Sequence, residues 1–231
     1  MTVPAAAPIV STSELHRQYG EGEAAVHALR GVTLAFPPGE FTAIMGPSGS
    51  GKSTLMHLLA GLDRPTSGSV VVAGLELANL DDKKLTSLRR DKLGFVFQAF
   101  NLIPVLTARE NITLPLMLAG TNADDGWFKT LVDAVDLGDR LTHRPAELSG
   151  GQQQRVAIAR ALIARPAVVF ADEPTGNLDS KSAGEVLGLL RRAVDEFGQT
   201  VIMVTHDPAA AAHADRLITL RDGELLSLIH I

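Results

Sequence analysis

Three short apolar segments stand out from the pattern of hydrophobic and polar positions along the chain. They cover 41–45, 167–171 and 200–205, and each is largely continuous in apolar residues rather than alternating with polar ones. Such runs are typical of parallel strands that are buried on both faces of a sheet. A segment with helical periodicity, 180–197, precedes the third run. The pattern therefore predicts βαβ units and an α/β fold.

Each predicted strand is followed directly by polar or glycine-rich sequence. The first leads into a glycine-rich loop, the second into Asp172 and Glu173, and the third into His206. In open α/β sheets, ligands bind outside the carboxyl ends of the strands. We therefore expect one shared site at this edge of the sheet.

The glycine-rich segment matches the phosphate-binding pattern G-x-x-x-x-G-K-[ST] without a departure. Its residues are Gly46, Pro47, Ser48, Gly49, Ser50, Gly51, Lys52, Ser53 and Thr54, which we call the phosphate loop. Glycines let the backbone fold around a polyphosphate with its N–H groups pointing inward. Lys52 is predicted to reach the β- and γ-phosphates, and the Ser53 hydroxyl to bind Mg²⁺. A helix predicted at 53–60 adds the partial positive charge of its N-terminus, and this order of strand, loop and helix disfavours an incidental Gly/Ser loop.

The side chains at the ends of the second and third strands suit nucleotide hydrolysis. Asp172 is predicted to hold Mg²⁺, largely through water. Glu173 is predicted to act as a general base or to polarise the attacking water. His206 is predicted to donate a hydrogen bond to the γ-phosphate. The alternatives are a turn or helix-capping acid pair at Asp172 and Glu173, and a helix cap at His206.

A second anion-binding element is predicted at 148–152. Ser149 is placed as the N-cap of a helix predicted over 152–164, and Gly150 and Gly151 allow a ligand to approach the start of that helix. A Ser-Gly-Gly segment alone is usually only a cap. Together with Gln152, the phosphate loop and the acidic pair, it forms a more specific pattern.

Composition narrows the functional classes. The chain has 231 residues, 45% hydrophobic and 20% charged, which is ordinary for a globular protein. Its net charge of -5 gives no support for binding to nucleic acid or to an anionic membrane surface. The absence of cysteine excludes disulfides and thiolate zinc sites and fits a cytosolic protein. No apolar run approaches the roughly 18 residues of a membrane span, and 1–8 is predicted to be a disordered leader rather than a signal peptide.

These motifs together resemble the nucleotide-binding subunit of the ATP-binding cassette (ABC) transporters, from about residue 9 to 224. Segment 148–152 matches the signature sequence of that family, and Gln98 matches its Q-loop glutamine. Asp179 falls in its D-loop, His206 at its switch histidine, and Tyr19 where an aromatic residue stacks on adenine. A lone exposed tyrosine would otherwise mean little.

The resemblance implies an ATPase that uses ATP and Mg²⁺. Two copies would pair head to tail, with the phosphate loop of one copy and Ser149, Gly150, Gly151 and Gln152 of the other enclosing each ATP. The implied catalytic residues are Lys52, Gln98, Glu173 and His206, and the implied Mg²⁺ ligands are Ser53, Gln98 and Asp172. Asp179 would communicate across the dimer interface. The implied partners are a second copy and an integral membrane permease, which would hold the protein on the cytoplasmic face of the membrane, and no nucleic acid is expected.

The implied architecture is one domain over 1–231 with the P-loop NTPase fold of the ABC ATPases. A mixed sheet forms a catalytic core from about 9–98 and 161–224, which includes an antiparallel β subdomain that carries Tyr19. An α-helical signature subdomain is inserted at about 99–160. The apolar stretch 100–106 fits either a docking surface for the permease or core packing. The apolar tail, 225–231, fits a last strand, a partner contact or an artificial extension.

The amino-acid sequences of 94–112 and 172–179 are similar to the corresponding segments in the ATPases of macrolide exporters and lipoprotein-releasing complexes. This branch implies ATP-driven export, extraction or mechanotransmission through a membrane partner. An importer ATPase remains an alternative, since the lack of room for a C-terminal regulatory domain is only a weak argument against it. A soluble ABC ATPase acting on DNA or ribosomes is disfavoured by the single cassette and the negative net charge. The sequence does not identify a substrate.

Overall fold

The structure, a computed structural model, describes residues 7–231, without the side chain of Glu23. The first six positions of the leader predicted at 1–8 lie outside the described residues. The strands are β1 (Val10–Tyr19), β2 (Val26–Phe36), β3 (Phe41–Met45), β4 (Ser67–Val72), β5 (Leu75–Glu76), β6 (Leu93–Phe97), β7 (Val168–Asp172), β8 (Val201–Val204), β9 (Arg216–Arg221) and β10 (Glu224–His230). The helices are α1 (Lys52–Leu59), α2 (Asp82–Lys92), α3 (Ala108–Ala119), α4 (Asp125–Ala134), α5 (Gly150–Leu162), α6 (Ser180–Phe197) and α7 (Pro208–Ala211).

A six-stranded sheet with the order β10-β9-β3-β8-β7-β6 holds the three predicted apolar strands. Its pairings are parallel except for β10, which runs antiparallel to β9. The apolar tail thus forms a last strand, one of the three alternatives left open by the sequence. The second strand extends one residue further than its apolar run, because Asp172 still pairs with Phe97 and Val204. The predicted α/β fold with a mixed sheet is confirmed.

A four-stranded antiparallel sheet, with the order β2-β1-β4-β5, forms the predicted β subdomain. Tyr19 is the last residue of β1 and pairs with Val26 at the start of β2. This pairing places the tyrosine next to a residue that borders the cavity over the phosphate loop.

Two hydrophobic clusters cover the two faces of the six-stranded sheet. Along β8, Val201 and Met203 face the cluster formed with α3, α4, α5 and α6, whereas Ile202 faces the cluster formed with α1 and the antiparallel sheet. The strands are apolar throughout because side chains of both parities are buried. Phe170 in β7 is almost fully buried, and its truncation to alanine is expected to cost roughly 3–5 kcal/mol.

The helices begin close to their predicted positions, with informative differences. The structure confirms α6 at 180–197, whereas α1 begins one residue earlier than predicted because Gly51 is its N-cap. Similarly, α5 begins at Gly150, directly after the Ser149 cap, and ends at Leu162. Helix α5 thus crosses the predicted subdomain boundary at 160, and its buried face belongs to the same cluster as β7 and β8. Among residues 7–231, no helix combines the length and the apolar character that a membrane span requires.

Candidate functional site

The phosphate loop depends on glycine at two points of close backbone approach. Gly46 has a φ of 153° and Gly51 a φ of 96°, both in a region that favours glycine. A Cβ atom at Gly46 would clash with the carbonyl of Leu220, and one at Gly51 with the carbonyl of Ala28. The loop is therefore braced against β9 and β2, and it turns directly into α1.

Lys52 lies across its own loop. Its Nζ donates hydrogen bonds to the carbonyl oxygens of Gly46 and Pro47, at 2.9 Å each, and the residue is only 9% exposed. The Oγ of Ser50 is buried and finds no hydrogen-bond partner among the described residues. The carbonyls of the loop thus orient the Lys52 ammonium.

A cavity of about 410 Å³ lies over the phosphate loop. It is bordered by 48–54 of the loop, by 26–28 of β2, and by Val204, Glu173 and His206. The structure therefore brings three of the predicted groups together: the loop, the acid after β7 and the histidine after β8. Their meeting follows from the parallel register of β3, β8 and β7, whose carboxyl ends share one edge.

Glu173 and His206 are paired across the ends of their strands. Glu173 has a φ of 46°, and its backbone N–H donates to the carbonyl of Val204 at 2.9 Å. Its Oε1 lies 2.8 Å from Nδ1 of His206. The hydrogen bond and the charge of Glu173 raise the pKa of His206 above its usual value. In the protonated imidazole both ring nitrogens are donors, so Nε2 is left to donate to a ligand.

Asp172 occupies the last position of β7, beside Glu173. Burial raises the pKa of its carboxyl, while the charges of His57 and Lys52 act in the opposite direction. The Asp172 carboxylate and the Ser53 hydroxyl are oxygen donors of the type that Mg²⁺ prefers. Within 7–231 there is no cluster of three His, Cys, Asp or Glu residues able to hold a metal by itself. The donor set therefore fits a cation that takes its other ligands from water and a bound phosphate.

Gln98 lies at the end of β6, in contact with the segment that follows Glu173. Its Nε2 donates to Oδ1 of Asn177, and Nδ2 of Asn177 donates back to the Gln98 carbonyl, at 3.0 Å each. A Cβ at Gly176 would clash with the Gln98 amide, so glycine permits this approach. The structure does not bring Gln98 to the wall of the phosphate-loop cavity. The pairing with Asn177 leaves the amide oxygen of Gln98 free to act as a ligand.

Tyr19 also lies outside the wall of the phosphate-loop cavity, at 40% exposure. Its hydroxyl donates to Oδ2 of Asp63 at 2.8 Å, and the Arg17 guanidinium lies 4.3 Å from the ring centroid. Its strand partner Val26, which is 62% exposed, borders the cavity.

Ser149 forms a closed capping box at the start of α5. Its Oγ accepts from the backbone N–H of Gln152 at 3.3 Å, and the Gln152 Oε1 accepts from the backbone N–H of Ser149 at 2.9 Å. Ser149, Gly151 and Gln152 line a second cavity of about 620 Å³, which also contacts Lys181 and Ser182 of α6. Gly150 is the first residue of the helix and packs near Phe100. Within one chain, this element and the phosphate loop open into separate cavities.

Asp179 is the N-cap of α6. Its Oδ1 accepts from the backbone N–H groups of Lys181 and Ser182, and its Oδ2 accepts from the Ser182 hydroxyl at 2.7 Å. These hydrogen bonds, led by that of the Ser182 hydroxyl, lower the pKa of the Asp179 carboxyl. The predicted interface residue is therefore already engaged in ordering its own helix.

Gln154 is a site residue that the motifs did not single out. It is fully buried, and its Nε2 donates to the carbonyls of Phe97 at 3.2 Å and Pro174 at 2.5 Å. It thus connects the helix that follows Ser149 with the ends of both β6 and β7. The available signal was a polar residue four positions before Ile158, on the buried face of a predicted helix.

Exposed apolar side chains occur just before α3 and in its last turn. Val105 is 72% exposed, and Met117 and Leu118 are 61% and 69% exposed. Leu118 also lines a cavity of about 450 Å³ between α2, β6, α3 and α5. Most of the predicted docking stretch, 100–106, is at least partly exposed, which favours a surface over simple core packing.

Comparison with known proteins identifies relatives of the whole described fold. A family model described as ABC transporter matches residues 29–176. A macrolide export ATP-binding/permease protein of Marinobacter nauticus is 51% identical over 95% of this chain and 34% of its own length. An uncharacterized ABC transporter ATP-binding protein of Thermotoga maritima is 48% identical over 94% of this chain and 93% of its own length.

A solved structure of the same fold was obtained with hydrolysis products bound. The dimeric structure of the ATP-binding cassette MJ0796, from Methanocaldococcus jannaschii, in a post-hydrolysis state bound to ADP and Pi, has a TM-score of 0.85. It is 44% identical and covers 96% of this chain and 98% of its own. The predicted resemblance to the macrolide-exporter branch is confirmed, although the chain spans only about a third of the length of those macrolide export relatives.

Proposed function

The chain belongs to the ABC transporter family as an ATP-binding cassette, and on that premise we propose that it hydrolyses ATP to drive a membrane partner. The observation that carries this proposal is the cavity in which the phosphate loop, Glu173 and His206 meet. A cation, an acid and a hydrogen-bond donor then border the same cavity.

The phosphate loop binds the polyphosphate of ATP. Anion binding competes with the carbonyls of Gly46 and Pro47 for the Lys52 ammonium, and the N-terminus of α1 adds favourable potential. Val26 borders the cavity and pairs with Tyr19, so the nucleoside lies on this side of the loop and the Tyr19 ring stacks on adenine.

Hydrolysis uses Glu173 and His206. A water oxygen bonds to the γ-phosphorus as the bond from that phosphorus to the bridging oxygen breaks, and ADP leaves with the bridging oxygen. A proton of the water passes to Glu173, and Nε2 of His206 donates to the γ-phosphate. The contact of 2.8 Å between Glu173 Oε1 and His206 Nδ1 fixes the positions of the base and the donor relative to each other.

Ser53, Asp172 and the amide oxygen of Gln98 are the residues that would hold magnesium. When bound, it neutralises part of the phosphate charge.

The second wall of each ATP site comes from a second copy of the chain. Ser149, Gly151 and Gln152 line a cavity separate from that of the phosphate loop in their own chain, and a helix N-terminus of this kind suits a phosphate presented by a second copy. The cassette MJ0796 is dimeric with ADP and Pi bound, which supports the same arrangement here. Asp179 then lies at the interface between the copies.

The membrane partner docks on the exposed apolar surface near Gln98. Val105, Met117 and Leu118 provide exposed apolar contacts, and Leu118 lines a cavity together with Phe97, the residue before Gln98. The macrolide export relatives are ATP-binding/permease proteins, which supports a permease as the partner and a peripheral position on the inner face of the membrane. Export, extraction or mechanotransmission then follows from the partner's own structure.

The decisive variant is Glu173→Gln. We expect ATP hydrolysis to slow by at least roughly 100-fold, because an amide does not accept the proton of the attacking water. ATP-dependent dimerisation, measured by light scattering, should persist because the phosphate contacts are retained. Glu196→Gln, at an exposed ion pair with Arg192, is the matched control and should hydrolyse ATP normally. Rapid turnover by Glu173→Gln would exclude Glu173 as the base, and a monomer at saturating ATP would exclude the two-copy site.

A further inference from the structure

We propose that Asp63 and Arg17 are positioning residues for the nucleotide base, because together they fix the ring of Tyr19 in one orientation. This inference rests on the proposed function, in which Tyr19 stacks on adenine. No part of the phosphate chemistry involves either residue, so the inference adds a separate set of contacts to the site.

The three side chains form a closed group. Oδ2 of Asp63 accepts the hydrogen bond of the Tyr19 hydroxyl at 2.8 Å. Oδ1 of the same carboxylate lies 2.9 Å from Nη2 of Arg17 and accepts from the backbone N–H of Arg64 at 2.7 Å. The Arg17 guanidinium returns to the ring of Tyr19, with Cζ 4.3 Å from the centroid. Each of the three groups therefore contacts the other two.

The backbone explains why these residues meet. Arg17 and Tyr19 are two positions apart in β1, so their side chains project from the same face of the strand. Asp63 follows α1, and the backbone N–H groups of Leu62 and Asp63 both bond to the carbonyl of His57 in that helix. The carboxylate is thus attached to the helix that begins at the phosphate loop, and the ring is attached to the antiparallel sheet.

The geometry restricts how a base can bind. Arg17 lies over one face of the ring, so a base stacks on the opposite face. Tyr19 is held at its hydroxyl and across one face of its ring. Its side chain is therefore ordered before a base binds, which lowers the entropic cost of stacking. The side chains of Arg17 and Asp63 are 22% and 26% exposed, so solvent screens their attraction only in part.

A different role for Asp63 is purely structural, in which it ties the turn after α1 to β1. The two roles differ in which ligand they affect. A positioning role acts on ligands with a base, whereas a structural role distorts the helix after the phosphate loop and weakens every polyphosphate alike.

The test is calorimetric binding of ATP and of inorganic tripolyphosphate to the full chain. Tyr19→Ala is expected to weaken ATP binding roughly tenfold, since the base loses its stacking partner, and to leave tripolyphosphate binding within about twofold. Asp63→Ala is expected to weaken ATP binding roughly threefold, again without affecting tripolyphosphate. Asp63→Asn should restore part of the ATP affinity, because its amide oxygen still accepts from the tyrosine. Asp82→Ala removes a neighbouring carboxylate that pairs with Arg64 and serves as the matched control.

A spectroscopic measurement reports on the ring itself. The chain has a single tyrosine, so incorporation of 3-fluorotyrosine gives one ¹⁹F resonance. We expect Asp63→Asn and Arg17→Met to shift this resonance and to reduce its further shift on addition of ATP. This measurement needs only a folded chain and remains informative where Asp63→Ala does not fold.

The outcomes separate the positioning role from the base-stacking role on which it rests. Unchanged ATP affinity in Tyr19→Ala would remove the base-stacking role of Tyr19. A weakened Tyr19→Ala with an unaffected Asp63→Ala, or an equal loss of ATP and tripolyphosphate binding in Asp63→Ala, would overturn the positioning role alone. In the Tyr19→Ala background, Asp63→Ala should cause no further loss, and an additive loss would show that Asp63 acts independently of Tyr19.

Discussion

The phosphate loop and segment 148–152, which we call the Ser149 element, each lie at a helix N-terminus suited to anions. They differ in the side chains that border their cavities. Lys52, Glu173 and His206 border the cavity of the phosphate loop. The Ser149 element has its own capping box and an open cavity that contains neither Glu173 nor His206. One element therefore combines binding with chemistry, and the other offers recognition alone. This difference predicts that the two respond differently to substitution.

On ATP binding, the largest expected effect is that of Lys52→Ala. The variant loses a cation that the loop holds in place, so ATP affinity should fall by roughly 10- to 100-fold and turnover with it. Equilibrium binding of a fluorescent ATP analogue measures the change. Lys129→Ala, at an exposed i,i+4 pair, is the control and should bind normally. Undiminished affinity in Lys52→Ala would contradict the assignment of the phosphate loop.

Ser149→Ala should have the opposite signature. Turnover is expected to fall roughly tenfold, while ATP binding to the monomer stays within about twofold, since Ser149 lies outside the phosphate-loop cavity of its own chain. Loss of the cap should also lower the free energy of unfolding by about 1 kcal/mol. Thr107→Ala removes an equivalent capping box at the start of α3 and controls for that loss, because its turnover should be normal. Equal loss of turnover in both variants would show that Ser149 matters only for stability.

Gln154→Leu tests the connection between the two elements. Its side chain joins α5 to the carbonyls of Phe97 and Pro174, so its removal should lower kcat several-fold with little change in KM. The buried carbonyls lose a donor, which is expected to cost about 1–3 kcal/mol in the free energy of unfolding. The comparison is Gln153→Leu, because the Gln153 amide donates to the nearby carbonyl of Leu148 and does not join α5 to β6 or β7. Steady-state kinetics with thermal melting would separate the two effects, and a raised KM at constant kcat would argue against a positioning role.

The smallest expected effect concerns the pH dependence of the His206–Glu173 pair. The pKa of His206 is raised above 6.5 by its contact with Glu173, with a smaller contribution from Asp207 and an opposing one from Lys52. Stabilisation by this pair is therefore fully present below the unfolded pKa and is lost as the pH rises through the folded pKa. NMR titration should show a pKa for His206 that falls in Glu173→Gln. An unchanged pKa in that variant would show that the two side chains do not interact in solution.

Much of the fold was predictable because it follows from local pattern. The boundaries of β3 and α6 match the prediction, since a glycine-rich loop ends the first and an Asp179 cap begins the second. Periodicity and motif order also placed Glu173 and His206 at one sheet edge, because parallel strands bring their carboxyl ends together.

The pairings within the site were not predictable in the same way. Gln98 and Asn177 are 79 positions apart, Tyr19 and Asp63 are 44 apart, and Glu173 and His206 are 33 apart. Each contact depends on the packing of separate elements, and no periodicity in the chain encodes it. A motif identifies a residue and its chemistry, whereas the tertiary structure determines which hydrogen-bond partner orients that residue.

Helix α1 has a consequence that concerns length. Its eight residues rise about 12 Å from the phosphate loop toward the turn that carries Asp63. A single residue inserted into this helix would swing that turn by about 100° around the axis and carry the carboxylate away from Tyr19. The number of residues in α1 therefore sets the distance between the phosphate loop and the tyrosine, and with it the size of the ligand that can contact both.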